Sequence, residues 1–416
     1  MGRKRCNPRI KLLFICCIVS CFVICLLYTW LSSDKQNSVF WRYRHEAGEF
    51  SFYAQNMIEY IQNYIHRNRN ERMNKNEAFS YNRLYISENF LLHKKYPPCY
   101  ANRSALPDVN FVNYQVRVKN FMLYKHCRQF TLLQDVPENK CPVDGVFLLM
   151  VIKSAPANYE RREAIRRTWG EEIYDAKYGT RRIFIVGTSA DSAMEAEKVN
   201  WMLDAEARMY GDVLQWDFHD TLFNLTLKQL LFMHWRSHST RCAHAKFIFN
   251  GDDDVYVNVK DVLSYLKNND SDSHLFTGHL IQGASPIRIP WSKYFIPRVI
   301  TNLSAYPPYC GGGGLLISKY TMNIIADVAK NLEMFPIDDV FMGMCLEKKG
   351  LLPSHHDGIK LLDFSKSSSK MSNFDPCFYT RFLVLHRVVP YEQVLVHNVL
   401  HNHTMFCANG RCNRRC

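Results

Sequence analysis

Between Gly145 and Asn269 the chain alternates four apolar runs with four segments of helical period, and that alternation restricts the fold more than any other feature. The runs "GVFLLMVIKS" (Gly145–Ser154), "RRIFIVGTS" (Arg181–Ser189), "DVLQWDF" (Asp212–Phe218) and "HAKFIFNGDDDVYVN" (His244–Asn258) read as strands, the first of them buried. The segments "NYERREAIRRTWG" (Asn158–Gly170), "DSAMEAEKVNWMLDAEARMYG" (Asp191–Gly211), "NLTLKQLLFMHWRSH" (Asn224–His238) and "VKDVLSYLKNN" (Val259–Asn269) read as helices. Asn158 and Asn224 stand where caps belong, and Gly170 and Gly211 where helices stop. Strand and helix in turn imply a largely parallel sheet with helices on both faces. In such sheets ligands sit beyond the carboxyl ends of the strands.

One of those ends carries three consecutive carboxylates, Asp252, Asp253 and Asp254, before the pattern returns at once to alternation. Crowding unpaired carboxylates is costly. The triplet is therefore spread into solvent at a turn or holding a cation. A hard divalent cation takes oxygen ligands and keeps its remaining positions for phosphate and water. A solvated turn or a calcium site competes with that reading for so short a motif. A second carboxylate pair, Asp338 and Asp339, opens "IDDVFMGMCLEKKG", a helical pattern that ends at Gly350. Acidic residues in a first helical turn are favoured by the helix dipole, which is the plain reading of this pair.

Ahead of this body, Leu12–Leu31 is twenty residues without a charge, about what a bilayer span needs. Arg3, Lys4, Arg5, Arg9 and Lys11 precede it, so the N-terminus is expected in the cytoplasm. A cleaved signal peptide has an apolar core of about 7–15 residues and a small-residue cleavage site, whereas this run closes on Tyr28, Thr29, Trp30 and Leu31. The expected organisation is a cytoplasmic tail (1–11), a transmembrane signal anchor (12–31), a stem (32–86) and a lumenal domain (87–416). Phe52, Ile58, Ile61 and Ile65 give the stem a weak helical stripe. Sequons at Asn102, Asn224, Asn269, Asn302 and Asn402 suit an exported body. So do ten cysteines beyond the anchor, an even number that sequence alone cannot pair. The net charge of +13 is scattered rather than striped and partly belongs to the anchor flank, which argues against a nucleic-acid partner.

Six segments, "REAIRRTWG", "FNLTLK", "FIFNGDDDVYVN", "YPPYCGGGG", "PIDDVFMGMCLEKKG" and "FLVLH", follow one another across roughly residues 111–407. In that order they resemble the β-1,3-glycosyltransferases of glycosyltransferase family 31. The stretch "YKHCRQFTLLQDVPENKC" and the run Gly311–Gly314 resemble its N-acetylglucosaminyltransferase branch, although Cys310 stands where that branch tends to carry Ala.

The resemblance implies a GT-A fold, a Rossmann-like mixed α/β sheet flanked by helices. It also implies UDP-N-acetylglucosamine as donor, manganese or magnesium as cofactor, and inverting transfer to a β-galactose 3-hydroxyl on glycoprotein or glycolipid glycans. By residue, it implies Asp254, Asp252 and His386 as metal ligands, and at the catalytic site Asp339 as base with Asp338 positioning the sugar or the helix. Arg162, Arg166, Asp253, Gly312 and Gly313 would face the nucleotide sugar, Arg being suited to bidentate phosphate contact, and Tyr309 would face the acceptor. Lys228 would pair with a carboxylate, and Trp169 would pack. A Golgi membrane location and association with itself or with other glycosyltransferases go with the same resemblance. A β-1,3-galactosyltransferase, a two-carboxylate glycosidase and an inactive lectin-like protein of this fold are the alternatives open at this point.

Overall fold

The computed structural model describes residue 96 and residues 98–105, 110–142, 145–189, 193–238, 241–361, 376–401, 405–408 and 411–414. The chain divides into two compact units, Met1–Ile86 and Ser87–Cys416, and the described residues all lie in the second. The expected anchor, the stem stripe and the sequon at Asn402 fall outside them. Among the described residues no helix is long and apolar enough to cross a membrane.

An eight-stranded mixed sheet forms the centre. Its strands are β1 (Leu132–Gln134), β2 (Leu148–Lys153), β3 (Thr180–Thr188), β4 (Val213–His219), β5 (Phe247–Asp252), β7 (Phe276–Gly278), β10 (Gly314–Ser318) and β11 (Ser354–His355). Their spatial order is β1-β4-β3-β2-β5-β10-β7-β11. The four runs read as strands from the sequence are its parallel core, β4, β3, β2 and β5. β1 adds antiparallel to β4, and β10 antiparallel to both β5 and β7. A second, three-stranded sheet holds β6 (Val255–Val257), β12 (Ile359–Lys360) and β13 (Val384–His386) in the order β12-β13-β6. A short antiparallel pair, β8 (Leu280–Ile281) and β9 (Tyr309–Cys310), closes the base of an irregular loop over residues 282–308. Another pair, β14 (Met405–Ala408) and β15 (Arg411–Arg414), lies near the C-terminus.

The central strands are apolar over most of their length because both faces are covered. Along β2, Leu149 and Val151 enter one core, while Leu148, Met150 and Ile152 enter the other. β3 divides the same way, Ile183 and Ile185 against Phe184 and Val186. This is the period of two that a pleated strand imposes. The first core is roofed by residues of helices α1 (Val116–Tyr124), α4 (Leu225–His238), α6 (Lys319–Ala329) and α7 (Asp338–Lys348). The second is roofed from α2 (Tyr159–Arg166), α3 (Ala193–Tyr210), α5 (Val259–Leu266) and α9 (Pro390–His401). A single turn, α8 (Pro376–Tyr379), precedes β13.

The expected stops after α3 and α7 are glycines with left-handed backbone, Gly211 at φ 58° and Gly350 at φ 66°, where a Cβ would be strained. Trp169 packs as expected, 4% exposed, with Nε1 donating to Gln393 Oε1 at 3.0 Å.

Among the described residues, two disulfides, Cys99–Cys127 and Cys141–Cys242, tie loops to this body. Cys310 and Cys345 are free and buried, so the even count of cysteines does not mean that all of them pair. Opposite each other in the last hairpin, the backbone sets Cys407 and Cys412.

Candidate active site

After β4 at one side of the sheet, the chain crosses back to place β5 on the other side of β2. The crevice between the carboxyl ends of β2 and β5 is therefore the point where strand order reverses, the usual binding place in an open α/β sheet. The two strands end in register, Lys153 opposite Asp252. Lys153 Nζ lies 3.0 Å from Asp252 Oδ1 and donates to Asp338 Oδ2 at 2.7 Å. Burial alone would lower the pKa of this amine, but Asp252, Asp338 and Asp339 outweigh burial and hold it well above the usual lysine range. The sequence reading did not single out Lys153. Its only signal was a charge closing a six-residue apolar strand.

Beyond β5 the chain turns through Asp253 and Asp254 and enters β6, which belongs to the second sheet. There β13 runs antiparallel to β6 and sets His386 opposite Val255. Two sheets thus bring together residues more than a hundred positions apart. His386 Nε2 lies 3.2 Å from Asp254 Oδ1 and 3.8 Å from Asp252 Oδ2. Asp252, Asp254 and His386 offer one ligand atom each, all within 4.8 Å of one another. Asp254 Oδ1 is buried and accepts no hydrogen bond, an arrangement that a shared cation would satisfy. Two carboxylate oxygens and an imidazole nitrogen suit a divalent metal that keeps other positions open. The residues present fit such an ion.

Asp253 differs from the expectation that it meets the donor. It is 5% exposed, and both its oxygens are occupied. Oδ2 accepts from Ser154 Oγ at 2.7 Å and from Asn158 Nδ2 at 2.9 Å, while Oδ1 accepts from Arg161 at 2.9 Å. Asp253 anchors the turn, and its flanking carboxylates are left to face the crevice. Asn158 likewise does not cap α2 with its side chain; the amide holds Asp253 instead.

Arg162 and Arg166 also need correction. Arg162 is 1% exposed and binds Glu206 through Nε and Nη2 at 2.8 and 2.7 Å. Its remaining donors hold Ser154 Oγ and the carbonyls of Ala155 and Pro156. Arg166 pairs with Asp212 and Glu206. Both guanidinium groups lie in a buried ion network, and Arg162 also holds the loop after β2. The arginine that reaches the acidic turn is Arg161, 2.9 Å from Asp253 and 3.5 Å from Asp254. Adjacent positions on a helix face about 100° apart, so Arg161 points outward where Arg162 points inward. Lys228 pairs with a carboxylate as expected, Asp220 at 2.7 Å, and donates to Ser154 O.

Asp338 and Asp339 open α7 below the same crevice. Asp338 is buried and paired with Lys153, so it is more than a favourable first-turn charge. Burial holds the Asp339 carboxyl well above the usual carboxylate range, with Asp338 and Asp252 adding to it against Lys153. The glycine run passes close by. A Cβ on Gly312 would stand 2.5 Å from Asp339 Oδ2, and one on Gly313 would stand 2.6 Å from His386 Cβ. Neither glycine has a positive φ, so the requirement is for space. Tyr309 sits half-buried beside this pair: burial and then the Asp339 charge raise its hydroxyl pKa. The structure thus gathers Asp252, Asp254, His386, Asp338, Asp339, Gly312, Gly313 and Tyr309 around one crevice.

The sequons divide. Asn102 and Asn302 are exposed. Asn224 and Asn269 are half-buried, with Nδ2 donating to His219 O and Tyr265 O.

A family profile described as galactosyltransferase matches residues 160–357. Human N-acetyllactosaminide β-1,3-N-acetylglucosaminyltransferase 3 is 51% identical over 75% of this chain and 83% of its own length. Human acetylgalactosaminyl-O-glycosyl-glycoprotein β-1,3-N-acetylglucosaminyltransferase is 45% identical over 76% of this chain and 82% of its own. Rat UDP-GlcNAc:betaGal β-1,3-N-acetylglucosaminyltransferase 7 is 41% identical over 73% and 76%. Among solved structures, mouse xyloside xylosyltransferase 1 aligns with 59% of this chain and 98% of its own at 14% identity and a TM-score of 0.28.

Proposed function

The chain belongs to the galactosyltransferase family, and on that premise we propose that it transfers N-acetylglucosamine from a UDP conjugate to the 3-hydroxyl of a terminal β-galactose. It is a glycosyltransferase, as its β-1,3-N-acetylglucosaminyltransferase relatives are. The observation that carries the reading is one juxtaposition. At the reversal point of the sheet, an oxygen–oxygen–nitrogen ligand set lies beside a carboxyl of raised pKa, with glycines leaving room between them. The finer fold class in this reading is GT-A.

In the reaction the acceptor oxygen forms its bond to the anomeric carbon as the bond from that carbon to the diphosphate breaks, and UDP leaves. Asp339 takes the acceptor hydroxyl's proton. A carboxyl held above its usual range is the stronger base for that transfer. Asp338 and Lys153 fix its surroundings, and Gly312 leaves its Oδ2 open to an incoming group. Tyr309 gives the acceptor ring a face to lie on. Arg161 balances part of the acidic turn. A divalent cation held by Asp252, Asp254 and His386, manganese or magnesium, would supply charge neutralisation at the departing diphosphate.

The same reading sets the chain in the Golgi membrane as a single-pass type II protein. The uncharged run Leu12–Leu31 with its basic flank, and the two disulfides, support it.

The full-length chain, incubated with UDP-N-acetylglucosamine or UDP-galactose and a β-galactoside, is expected to transfer N-acetylglucosamine in a β-1,3 linkage. The activity should disappear in chelator and return with manganese. Transfer of galactose alone would move the chain to the sister activity. Release of sugar from the acceptor without nucleotide would make it a hydrolase.

A further inference from the structure

The loop over residues 282–308 connects β8 to β9 without a helix or strand of its own. A structureless connection of that length inside a compact domain is uncommon and most often carries function. It is nevertheless well held. Arg288 donates to the carbonyls of Ile296, Thr301 and Leu303, while Gln115 and Arg117 of the α1 region donate to Pro290 O and Ser292 O, each at 2.7 Å. Between the loop and residues 110–115, which lead into α1, lies a cavity of about 660 Å³, within the range of small-ligand sites. Its walls include Tyr114 and Phe295, whose rings lie 6.3 Å apart, and Trp291, which is 82% exposed. Asn110, Asn113 and Arg298 supply exposed polar groups around these rings.

Trp291 is not a lone exposed side chain: Ile287, Ile289, Tyr294, Val299 and Leu303 of the same loop are exposed as well, and apolar surface gathered in one segment marks a binding surface. Flat aromatic faces ringed by amides and a guanidinium match a pyranose ring, which has an apolar C–H face and a rim of hydroxyls. The same loop leads to the chemistry. The ring of Tyr306, on this loop, lies 6.3 Å from that of Tyr309. One loop thus carries Trp291 at the cavity and Tyr306 beside Tyr309.

We propose that this cavity is a second acceptor subsite, which binds an inner sugar of the acceptor glycan while the terminal galactose lies at Asp339. The inference rests on the proposed function and adds a length requirement to it: a longer acceptor is held at two points, a disaccharide at one.

The test compares a β-galactose-terminated disaccharide with a tetrasaccharide of the same terminus, using the full-length chain and its Trp291→Ala and Arg298→Ala variants. Both side chains are exposed, so neither substitution threatens folding. In the unmodified chain the tetrasaccharide should have the lower KM. In Trp291→Ala the ratio of tetrasaccharide to disaccharide kcat/KM should fall about tenfold, the scale of losing one aromatic anchor, and the loss should lie in KM rather than kcat. Arg298→Ala should act in the same direction. An unchanged ratio in both variants, or a preference that appears only when the sugar is attached to peptide, would overturn the proposal. If the chain transfers to neither acceptor, the proposed function fails. Saturation transfer to the free tetrasaccharide then still decides the subsite: contact with an inner sugar that Trp291→Ala removes supports it, and contact absent or unaltered overturns it.

Discussion

Asp339→Asn is expected to lower kcat by about two to four orders of magnitude, the usual contribution of a positioned proton acceptor, while leaving donor binding intact. The substitution keeps the shape of the side chain against Gly312 and removes only its basicity. Its effect on stability should run the other way. A carboxyl whose pKa is raised by folding costs nothing below its unfolded value of about 4, where both states are protonated. As pH rises toward and through the folded pKa, the folded state loses stability relative to the unfolded one. Burial and the charges of Asp338 and Asp252 put Asp339 in this position. At neutral pH the asparagine variant should therefore melt no lower than the parent. In the parent, the acid limb of kcat/KM should lie above the range of a free aspartate. Initial rates and melting curves over pH 4–8 check both statements, and a variant retaining a third or more of the parent rate would remove Asp339 from the role of base.

Lys153→Met is the largest expected loss of stability. Lys153 is the cation between Asp252 and Asp338, and Asp338 is almost fully buried. Removing one partner of a buried pair leaves an uncompensated charge and costs about 3–5 kcal/mol, on the order of 10 °C in melting temperature for a body of this size. The sign of the pH dependence is fixed. Burial raises the Asp252 carboxyl and Lys153 holds it down; without the lysine that restraint is lost, so the variant's deficit should shrink as pH falls and Asp252 protonates. Adding Asp338→Asn should restore part of the loss, since the two changes act on one network. Thermal melts of the single and double variants measure it; additive losses would mean that the contact does little for the folded state.

How far the sequence led depended on the kind of signal each residue carried. Strands β2 to β5 were legible because parallel strands covered on both faces are mostly apolar runs, with polar residues concentrated towards their ends. The flanking helices were legible through their period and their glycine stops. The Asp252–Asp254 turn stood out because three carboxylates at the end of such a run need a reason. His386 carried no such signal. It meets Asp254 because β13 pairs with β6 in a second sheet, and that pairing is set by residues far apart in the chain; only the family resemblance pointed to it. Lys153 was passed over because an isolated lysine at a strand end is ordinary until the register with Asp252 is known. Arg161, Arg162 and Arg166 were indistinguishable as charges on one helix, and rotation about the helix axis decides which of them faces the crevice. The loop over residues 282–308 has no periodicity to read, and its cavity forms against residues 110–115, far away in the chain.

The central claim is that Asp252, Asp254 and His386 hold a cation on which the donor diphosphate depends. Calorimetric titration of UDP into the full-length chain, with manganese and with chelator, tests it most directly when run beside the Asp254→Ala variant. UDP uptake should occur in the parent only when manganese is present, and it should be lost in the variant under both conditions. Equal uptake of UDP by parent and variant in chelator would contradict the claim.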